Sequence, residues 1–383
     1  MYLDYSATTP VLPGVIDVIS DTMKNIYGNP SSTHKVGILA KKTMDSARKT
    51  ISDSINCNPE EIIFTSGACE ANTLAIDGYL NGKYAKKFIT TKIEHKSIEL
   101  LAKKHSYITE YVGVNKIFET VDLSELKDIC ENCKRRCCSF LVSIQYANSE
   151  IGVIQDIKKI AEIVHEYGGI IHTDATQMFP YKRIDVKELD VDMLSMSGQK
   201  IGAPKGIGVL YVKSGIELQP IIYGSQMNYV RGGTENVPYI VGLAKAISSL
   251  NYECDDIVHI RDYIKNKLIE TYGKNCIVNG VPAFAQVSYL PTNISVSFKY
   301  LSGESIMLLL SEKGIYVSTG SACNNGSNTP SSTLKEIGVS EDYINGTIRI
   351  TLPKSGFDIN KANYFLSQLK DVTDFLYSVK DGD

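Results

Sequence analysis

The sequence predicts an α/β protein in which a mostly parallel β-sheet is covered by helices on both faces. Between residues 60 and 215, short apolar segments of strand length alternate with helical patterns. In one helical pattern, over residues 157–165, apolar residues recur three and four positions apart, as on a helix packed against a sheet. The six strand-like segments are Glu61-Ile-Ile-Phe-Thr65, Lys87-Phe-Ile-Thr-Thr91, Phe140-Leu-Val-Ser-Ile144, Gly169-Ile-Ile-His172, Met193-Leu-Ser195 and Gly208-Val-Leu-Tyr-Val212.

A second, smaller α+β unit is predicted toward the C-terminus, where the pattern changes. We therefore expect a large domain over residues 13–250 and a small one over residues 251–383, to which the N-terminal segment 1–12 also belongs. The predicted elements that follow the first unit are a helix over 237–250, strands at 293–298, 315–317 and 347–352, a helix over 304–311 and a last helix from near Asn360.

The overall composition argues for an ordinary globular protein of the cytoplasm. A net charge of −3 over 383 residues gives no electrostatic reason to expect nucleic acid or an anionic membrane as a partner. The N-terminus carries no basic and apolar leader pattern, and no segment approaches the ~20 apolar residues of a spanning helix. Nine cysteines, an odd number, indicate reduced thiols rather than a disulfide framework.

Four of these cysteines lie close together, at Cys130, Cys133, Cys137 and Cys138. Their spacing leaves a metal site open as an alternative. Cys138, however, opens an apolar run, and structural zinc sites usually pair two Cys-x-x-Cys or Cys/His arms. We therefore predict free thiols at a helix end and a strand start, and no metal site.

Two residues at predicted strand ends point to chemistry. Asp174 ends one apolar strand, and Lys200 follows another in Met193-Leu-Ser-Met-Ser-Gly-Gln-Lys200. Pyridoxal 5'-phosphate (PLP) requires such a pair, because a lysine carries the cofactor as a Schiff base while an acid keeps its pyridine nitrogen protonated. The alternatives are a helix-capping acid and a solvated lysine in a turn. In parallel sheets, ligands bind beyond the carboxyl ends of the strands, where both residues fall.

Other residues could complete such a site. Small residues in the strand-to-helix turn Phe64-Thr-Ser-Gly-Ala-Cys69 leave backbone N–H groups for a phosphate, although ordinary helix capping would look the same. His95 follows the next strand, where an imidazole could stack on a planar ring and carry protons, or be only a polar residue with satisfied hydrogen bonds. Asn148 and Gln177 lie just past strand ends, as donors or as helix caps.

Cys323 is the most suggestive thiol. It lies in Ser318-Thr-Gly-Ser-Ala-Cys-Asn-Asn-Gly-Ser, a run of small polar residues that predicts a mobile surface loop. An exposed cysteine on such a loop could reach into a neighbouring site as a nucleophile, whereas a buried one is inert.

Together, these residues resemble the cysteine desulfurases, a branch of the class V, fold-type I PLP-dependent transferases, and within it the long-loop NifS/IscS-like group. The resemblance runs nearly end to end. The motifs that carry it are Tyr2-Leu-Asp-Tyr-Ser-Ala-Thr-Thr-Pro10, Gly28-Asn-Pro-Ser-Ser-Thr-His34, Glu94-His-Lys96, Asn148-Ser-Glu-Ile-Gly152, Asp174-Ala-Thr-Gln177, Ser197-Gly-Gln-Lys200, Pro204-Lys-Gly-Ile-Gly208, Arg231-Gly-Gly-Thr234, Gly320-Ser-Ala-Cys323 and Thr347-Ile-Arg349. It implies a seven-stranded, mostly parallel sheet in the large domain.

The resemblance also implies a role for each site residue. Lys200 would hold PLP and shuttle protons, Asp174 would pair with the pyridinium, Gln177 would contact the phenolic oxygen, and His95 would stack on the ring. The phosphate would be bound by Ala68, Cys69, Ser197, Gln199 and, from the second subunit of a homodimer with composite sites, Thr234. Asn148 and Arg349 would hold the substrate carboxylate.

The implied reaction converts L-cysteine to L-alanine and leaves a persulfide on Cys323. The sulfur would pass to an acceptor protein, an iron-sulfur scaffold or a tRNA thiolation enzyme. A selenocysteine lyase, a class V aminotransferase and a non-catalytic sulfur carrier remain alternatives. Two departures bear on cofactor affinity: Gln199 replaces the histidine that many relatives have before the lysine, and Cys69 replaces a threonine.

Overall fold

A seven-stranded sheet forms the centre of the fold in the computed structural model, which describes residues 1–82, 85–280, 288–319 and 331–380. Its strand order is β1-β9-β8-β7-β6-β2-β3, and β9 runs in the opposite direction to the other six strands. The predicted seven-stranded, mostly parallel sheet is therefore confirmed. The strands are β1 (Ile62–Thr65), β2 (Ala85–Thr91), β3 (Thr109–Val112), β6 (Ser139–Ser143), β7 (Ile170–Asp174), β8 (Met193–Ser197) and β9 (Gly208–Val212), with a small β4 (Val114–Asn115) and β5 (Thr120–Val121) pair beside them.

Helices cover both faces of this sheet. Phe88 of β2 is fully buried against α3 and α4, whereas the next residue, Ile89, packs on the opposite face with α1, α2, α5, α6 and α8. Two apolar residues in succession thus serve two cores, which explains why the strands are continuously apolar. The helices are α1 (Pro13–Asn25), α2 (Lys35–Ser54), α3 (Ala68–Leu80), α4 (Lys96–Lys104), α5 (Leu123–Arg135), α6 (Ile157–Glu166), α7 (Val186–Leu189) and α8 (Val237–Ser248).

A second, antiparallel sheet of order β10-β11-β13-β12 has its own apolar core with the C-terminal helices. The N-terminal segment joins it, because Leu3 lies in that core and its carbonyl accepts a hydrogen bond from the Thr351 N–H at 2.7 Å. The elements are α9 (Asp255–Tyr272), β10 (Cys276–Asn279), β11 (Asn293–Phe298), α10 (Gly303–Glu312), β12 (Ser318–Thr319), α11 (Ser332–Glu336), α12 (Glu341–Ile344), β13 (Thr347–Thr351) and α13 (Ile359–Lys380).

The strand predicted at 315–317 is wrong. Tyr316 forms only an isolated bridge to Tyr2, and the strand of the sheet begins at Ser318. The apolar residues at 315 and 317 are buried because the N-terminal segment packs beside them. The edge strand β3 and the β4–β5 pair were not predicted, since their residues are only partly buried and lack a continuous apolar run.

The cysteine cluster divides between a helix and a turn. Cys130 and Cys133 are buried on α5, while Cys137 is exposed and Cys138 half-buried just before β6. Within the described ranges, no three His, Cys, Asp or Glu side chains converge as metal ligands. The division into domains at residue 250 stays a prediction. None of the helices in the described part of the chain is both long and apolar enough to cross a membrane.

Candidate active site

The carboxyl ends of β7 and β8 open into a cavity of about 240 Å³. Asp174 is the last residue of β7 and Ser197 the last of β8, and Lys200 follows in a single turn of 3-10 helix. The cavity brings together eight residues predicted from the sequence: Ala68, Cys69, His95, Asp174, Gln177, Ser197, Gln199 and Lys200.

The carboxylate of Asp174 is buried, with 6% of the residue exposed, and two donors hold it in place. The side-chain amide of Asn72 donates to Oδ2 at 2.7 Å, and the Thr176 N–H donates to Oδ1 at 3.0 Å. A buried charge needs such partners, because its desolvation otherwise costs several kcal/mol. The sequence predicts Asp174 at this point but gives no indication of Asn72 as its partner.

His95 lies directly before α4 and caps it. Its Nδ1 accepts a hydrogen bond from the Ser97 N–H at 3.2 Å and lies 2.8 Å from the Ser97 hydroxyl. Burial lowers the pKa of His95, although the Asp174 carboxylate opposes this effect. We therefore assign a neutral imidazole with its proton on Nε2, since Nδ1 is engaged as an acceptor.

Lys200 is covered by the N-terminal segment. Its ammonium group donates to the carbonyl oxygens of Ser6 and Ala7, the latter at 2.6 Å. The Gln177 amide donates to the same Ser6 oxygen at 3.1 Å. Thr9 fixes the segment to the lysine turn, with its hydroxyl donating to the Gln199 carbonyl and accepting from the Gly202 N–H, each at 2.9 Å.

The turn between β1 and α3 has the features of a phosphate cradle. The residue that precedes α3 is Gly67, which has no side chain with which to cap the helix, and the helix begins at Ala68. A Cβ atom at Gly208 would lie 2.6 Å from the Gly67 Cα, so glycine is needed for β9 to approach the turn. Ser197, at the end of β8 beside β9, also lines this cavity.

Glu70 places a negative charge beside this cradle, and Arg231 compensates it. The Glu70 carboxylate accepts from the Ser66 N–H at 2.7 Å and from the Arg231 Nε at 2.7 Å. Burial raises the pKa of Glu70, but the hydrogen bonds from Arg231 and Ser66 outweigh it and hold the pKa below its usual value.

The two predicted substrate-binding residues, Asn148 and Arg349, flank the cavity instead of lining it. Arg349 is 8% exposed; its Nη2 donates to Asp4 at 2.7 Å and its Nη1 to the Ser149 carbonyl at 3.3 Å. Its Nε has no hydrogen-bond partner among the residues described. Asn148 uses its amide for the Ile93 carbonyl at 2.9 Å and its oxygen for two backbone N–H groups. The substrate role of both residues stays a prediction.

Thr234 and Cys323 complete the set of predicted site residues. Thr234 is exposed after Arg231 and Gly233, outside the cavity lining. Cys323 lies outside the described residues. The roles assigned to both stay predictions.

The cavity suits PLP in the chemistry of its donors. Lys200 and the buried acid Asp174 stand at neighbouring strand ends, and the α3 N-terminus, a position that favours anions, lines the same cavity. Thr176 lines the cavity, and its buried hydroxyl has no hydrogen-bond partner within the described ranges, which leaves a polar atom for a bound group to satisfy.

A lysine and a buried acid at adjacent strand ends, beside a helix N-terminus, are the arrangement of PLP-dependent α/β enzymes. The chain belongs to the aminotransferase class-V family, whose model matches residues 1–353.

Known relatives resemble the chain over most of its length. The cysteine desulfurase IscS of Methanosarcina thermophila is 39% identical over 360 residues, covering 92% of this chain and 87% of that protein. A solved structure of a NifS-like protein has a TM-score of 0.87 at 32% identity and covers 98% of this chain and 100% of that one. A structure of SspA in complex with cysteine has a TM-score of 0.79 at 34% identity, covering 93% of this chain and 99% of that chain.

Proposed function

We propose that the protein is a PLP-dependent cysteine desulfurase, which converts L-cysteine to L-alanine and takes up the sulfur as a persulfide. The observation that carries the proposal is the convergence of Lys200, Asp174 and His95 in one cavity. Similarity supports it, because relatives at 36–39% identity over 92% or more of the chain are named cysteine desulfurases.

Residues of the cavity would hold the cofactor. Lys200 would carry it, Asp174 and His95 would contact the ring, Gln177 its phenolic oxygen, and the phosphate would lie at the α3 N-terminus with Ala68, Cys69, Ser197 and Gln199. Bound PLP supplies an electron sink that makes an amino-acid Cα acidic and weakens the bond from Cβ to sulfur.

The chain's own residues would manage the protons. Lys200, once displaced by the substrate amine, is a primary amine able to take a proton from Cα and return one to the product. His95, neutral and with its proton on Nε2, can donate from that atom. The N-terminal segment that covers Lys200 limits the access of water to this amine.

Arg349 and Asn148 would bind the substrate carboxylate. In the structure the guanidinium of Arg349 is engaged by Asp4 and the Ser149 carbonyl, and its buried Nε has no partner in the described part of the chain. An incoming carboxylate would satisfy that donor, and a bidentate contact with arginine would orient the amino acid.

Cys323 would accept the sulfur. Its thiolate attacks the sulfur of the substrate, the bond from Cβ to sulfur breaks, and a proton takes the place of sulfur on Cβ. The products are L-alanine and a Cys323 persulfide, so one thiol and one cysteine give one persulfide and one alanine without an external oxidant.

The proposal includes a homodimer with composite sites, in which Thr234 reaches the phosphate of the second subunit. Large apolar side chains exposed on α1, on α2, in the segment between them and in the loop before Arg231 support such contact: Ile16, Met23, Tyr27, Leu39, Tyr223 and Tyr229. Mixing a Lys200→Ala chain with a Thr234→Ala chain tests it. In the mixed dimer, one site has both native residues, so activity should return; no gain over the separate variants contradicts the composite site.

The persulfide would pass to an acceptor protein in the cytoplasm, either an iron-sulfur scaffold or a tRNA thiolation enzyme. Sulfur from radiolabelled L-cysteine, followed onto each candidate acceptor, identifies which one receives it.

Alanine formation from L-cysteine tests the main proposal. Purified protein should show a visible cofactor band, lost on borohydride reduction or in Lys200→Ala. Cys323→Ala should abolish sulfide release and alanine formation, whereas the matched control Cys138→Ala, half-buried outside the cavity, should retain both.

Undiminished turnover in Cys323→Ala would contradict the desulfurase and favour an aminotransferase. Turnover of selenocysteine without turnover of L-cysteine would favour a selenocysteine lyase. A colourless protein that PLP does not reconstitute would favour the non-catalytic sulfur carrier.

A further inference from the structure

A fully buried asparagine connects the acid of the cavity to its histidine. Asn72, in the second turn of α3, is 0% exposed, and its amide nitrogen donates to Asp174 Oδ2 at 2.7 Å and to the Ser97 hydroxyl at 2.9 Å. Ser97 in turn lies 2.8 Å from Nδ1 of His95. The residue predicted to pair with the pyridinium nitrogen and the residue predicted to stack on the ring are thus joined through two side chains.

The orientation of the Asn72 amide follows from its neighbours. A carboxylate oxygen only accepts hydrogen bonds, so the face of the amide toward Asp174 must be the NH2 group, and both of its hydrogens are used. The amide oxygen is left buried without a hydrogen-bond partner among the described residues. Such an atom costs free energy, and an apolar residue at this position of α3 would avoid that cost.

The donor and acceptor roles of the hydrogen bonds between Ser97 and His95 can be assigned in the same way. The Ser97 oxygen accepts from Asn72, which leaves the Ser97 hydroxyl hydrogen available for His95 Nδ1. The Ser97 N–H points at the same nitrogen from 3.2 Å. Two donors therefore converge on Nδ1, and both favour the form of His95 that has its proton on Nε2.

We propose that Asn72 is a positioning residue that orients the Asp174 carboxylate and, through Ser97, holds His95 with its proton on Nε2. One amide then sets the geometry of both groups toward the cofactor ring. The inference rests on the proposed function for the identity of that ring, but the contacts themselves lie wholly within described residues.

A purely structural role of Asn72 predicts a different result. If Asn72 only filled space between α3 and the sheet, its replacement would lower stability and leave the hydrogen bonding of His95 and the affinity for PLP unchanged. The two roles therefore separate in measurements that are independent of turnover.

The test uses the full chain with ring-¹⁵N-labelled histidine, with His95→Gln to assign the resonance. In Asn72→Ala and Ser97→Ala we expect the ¹⁵N chemical shift of His95 Nδ1 to move toward that of an unprotonated ring nitrogen that accepts no hydrogen bond. Ser97→Thr keeps a hydroxyl and should leave the signal near its native position. Asn72→Ala should also weaken PLP binding by about tenfold, whereas Ser97→Ala, which leaves the Asp174 contact intact, should change it little.

The matched control is Thr73→Ala, the next residue of α3, whose hydroxyl donates to the Cys69 carbonyl. An Nδ1 signal and PLP affinity in Asn72→Ala equal to those of Thr73→Ala would overturn the proposal. If Asn72→Ala does not fold, the Ser97→Ala and Ser97→Thr pair decides: equal Nδ1 signals in the two variants would reject the connection, and a shift confined to alanine would support it. Neither the Nδ1 signal nor the PLP affinity depends on desulfurase activity. A failure of the proposed function would instead appear in the alanine-formation assay.

Discussion

The ammonium group of Lys200 donates a hydrogen bond to the backbone carbonyl of Ser6, 194 positions earlier in the chain. A second bond to the Ala7 carbonyl at 2.6 Å makes the N-terminal segment a cover over the lysine. Because carbonyl oxygens favour the charged amine, Lys200 would have to release these contacts to carry PLP as a Schiff base, and its displacement by an incoming amine would let them form again. The N-terminal segment is therefore part of the candidate site and not merely an edge of the second sheet.

Thr9→Ala should loosen this cover. The substitution removes the hydroxyl bonds to the Gln199 carbonyl and the Gly202 N–H, and we expect the free energy of unfolding to fall by about 1–2 kcal/mol. Borohydride or hydroxylamine should also reach the cofactor-bearing lysine faster. Urea denaturation and the decay of the visible band measure the two effects. Thr9→Ser keeps the hydroxyl and should behave as the native chain; equal decay in both variants would contradict the covering role.

The ion pair of Arg231 and Glu70 should matter more for cofactor affinity than for folding. Arg231→Ala leaves the Glu70 carboxylate, whose side chain is 10% exposed, uncompensated beside the predicted phosphate site. Repulsion between two anions should weaken PLP binding at least about tenfold, measured by titration of the visible band.

A double-mutant cycle provides the control for that prediction. Glu70→Gln removes the negative charge while retaining an acceptor for the Ser66 N–H, so Glu70→Gln/Arg231→Ala should recover most of the PLP affinity. If the double variant binds PLP as weakly as Arg231→Ala, the loss comes from Arg231 itself and not from the unpaired carboxylate.

Glu94 should make the stability of the protein fall as the pH rises. Burial raises the pKa of Glu94 to about 8, since the Thr91 and Gln145 hydrogen bonds compensate only in part. The folded state thus binds a proton that the unfolded state releases near pH 4.3. The proton on Glu94 therefore contributes stability that is complete below about pH 4. This contribution is lost progressively as the pH rises to about 8, and the free energy of unfolding falls by up to about 1.4 kcal/mol per pH unit.

Glu94→Gln removes this proton while preserving the side-chain shape. Urea midpoints between pH 5 and 8 should decline less in the variant than in the native chain. The exposed Glu162→Gln serves as the control and should follow the native profile. Parallel profiles for Glu94→Gln and the native chain would show that the carboxyl group is already ionised in the folded protein.

Arg349→Lys should raise the KM for L-cysteine by about tenfold to a hundredfold. Lysine keeps the positive charge but loses the planar pair of donors that holds a carboxylate, while the Asp4 contact can persist. PLP affinity should stay native, since Arg349 does not line the cofactor cavity. Steady-state kinetics and the PLP titration test both statements; an unchanged KM would assign substrate binding elsewhere.

The central sheet could be predicted because its strands are short, apolar runs separated by helices. The predicted helix over 304–311 matches α10 within a residue at each end. The misplaced strand at 315–317 and the missed β3 have a common cause: at sheet edges, burial depends on a distant partner such as the N-terminal segment, which local patterns do not report.

The site was predictable where chemistry demands a particular residue type. Lys200, Asp174 and His95 are chemically distinctive and follow strands, so their positions in the sequence suggest a role. Asn72 and Ser97 are not distinctive, because a buried asparagine and a helix-start serine occur for many reasons. Spacing puts both residues near the site, since Ser97 follows His95 by two residues and Asn72 lies one helical turn from Ala68, but it does not identify the side chains that they contact.

The attachment of residues 1–9 also constrains the order in which the molecule can be completed. Ser6 bonds to Thr351 at 3.0 Å across 345 positions, and the Leu3 carbonyl accepts from the Thr351 N–H. During synthesis residues 1–9 must therefore wait until residue 351 has emerged from the ribosome before these contacts can form. The large sheet has all its strands once residue 212 is made, but the cover over Lys200 becomes anchored only when β13 has emerged.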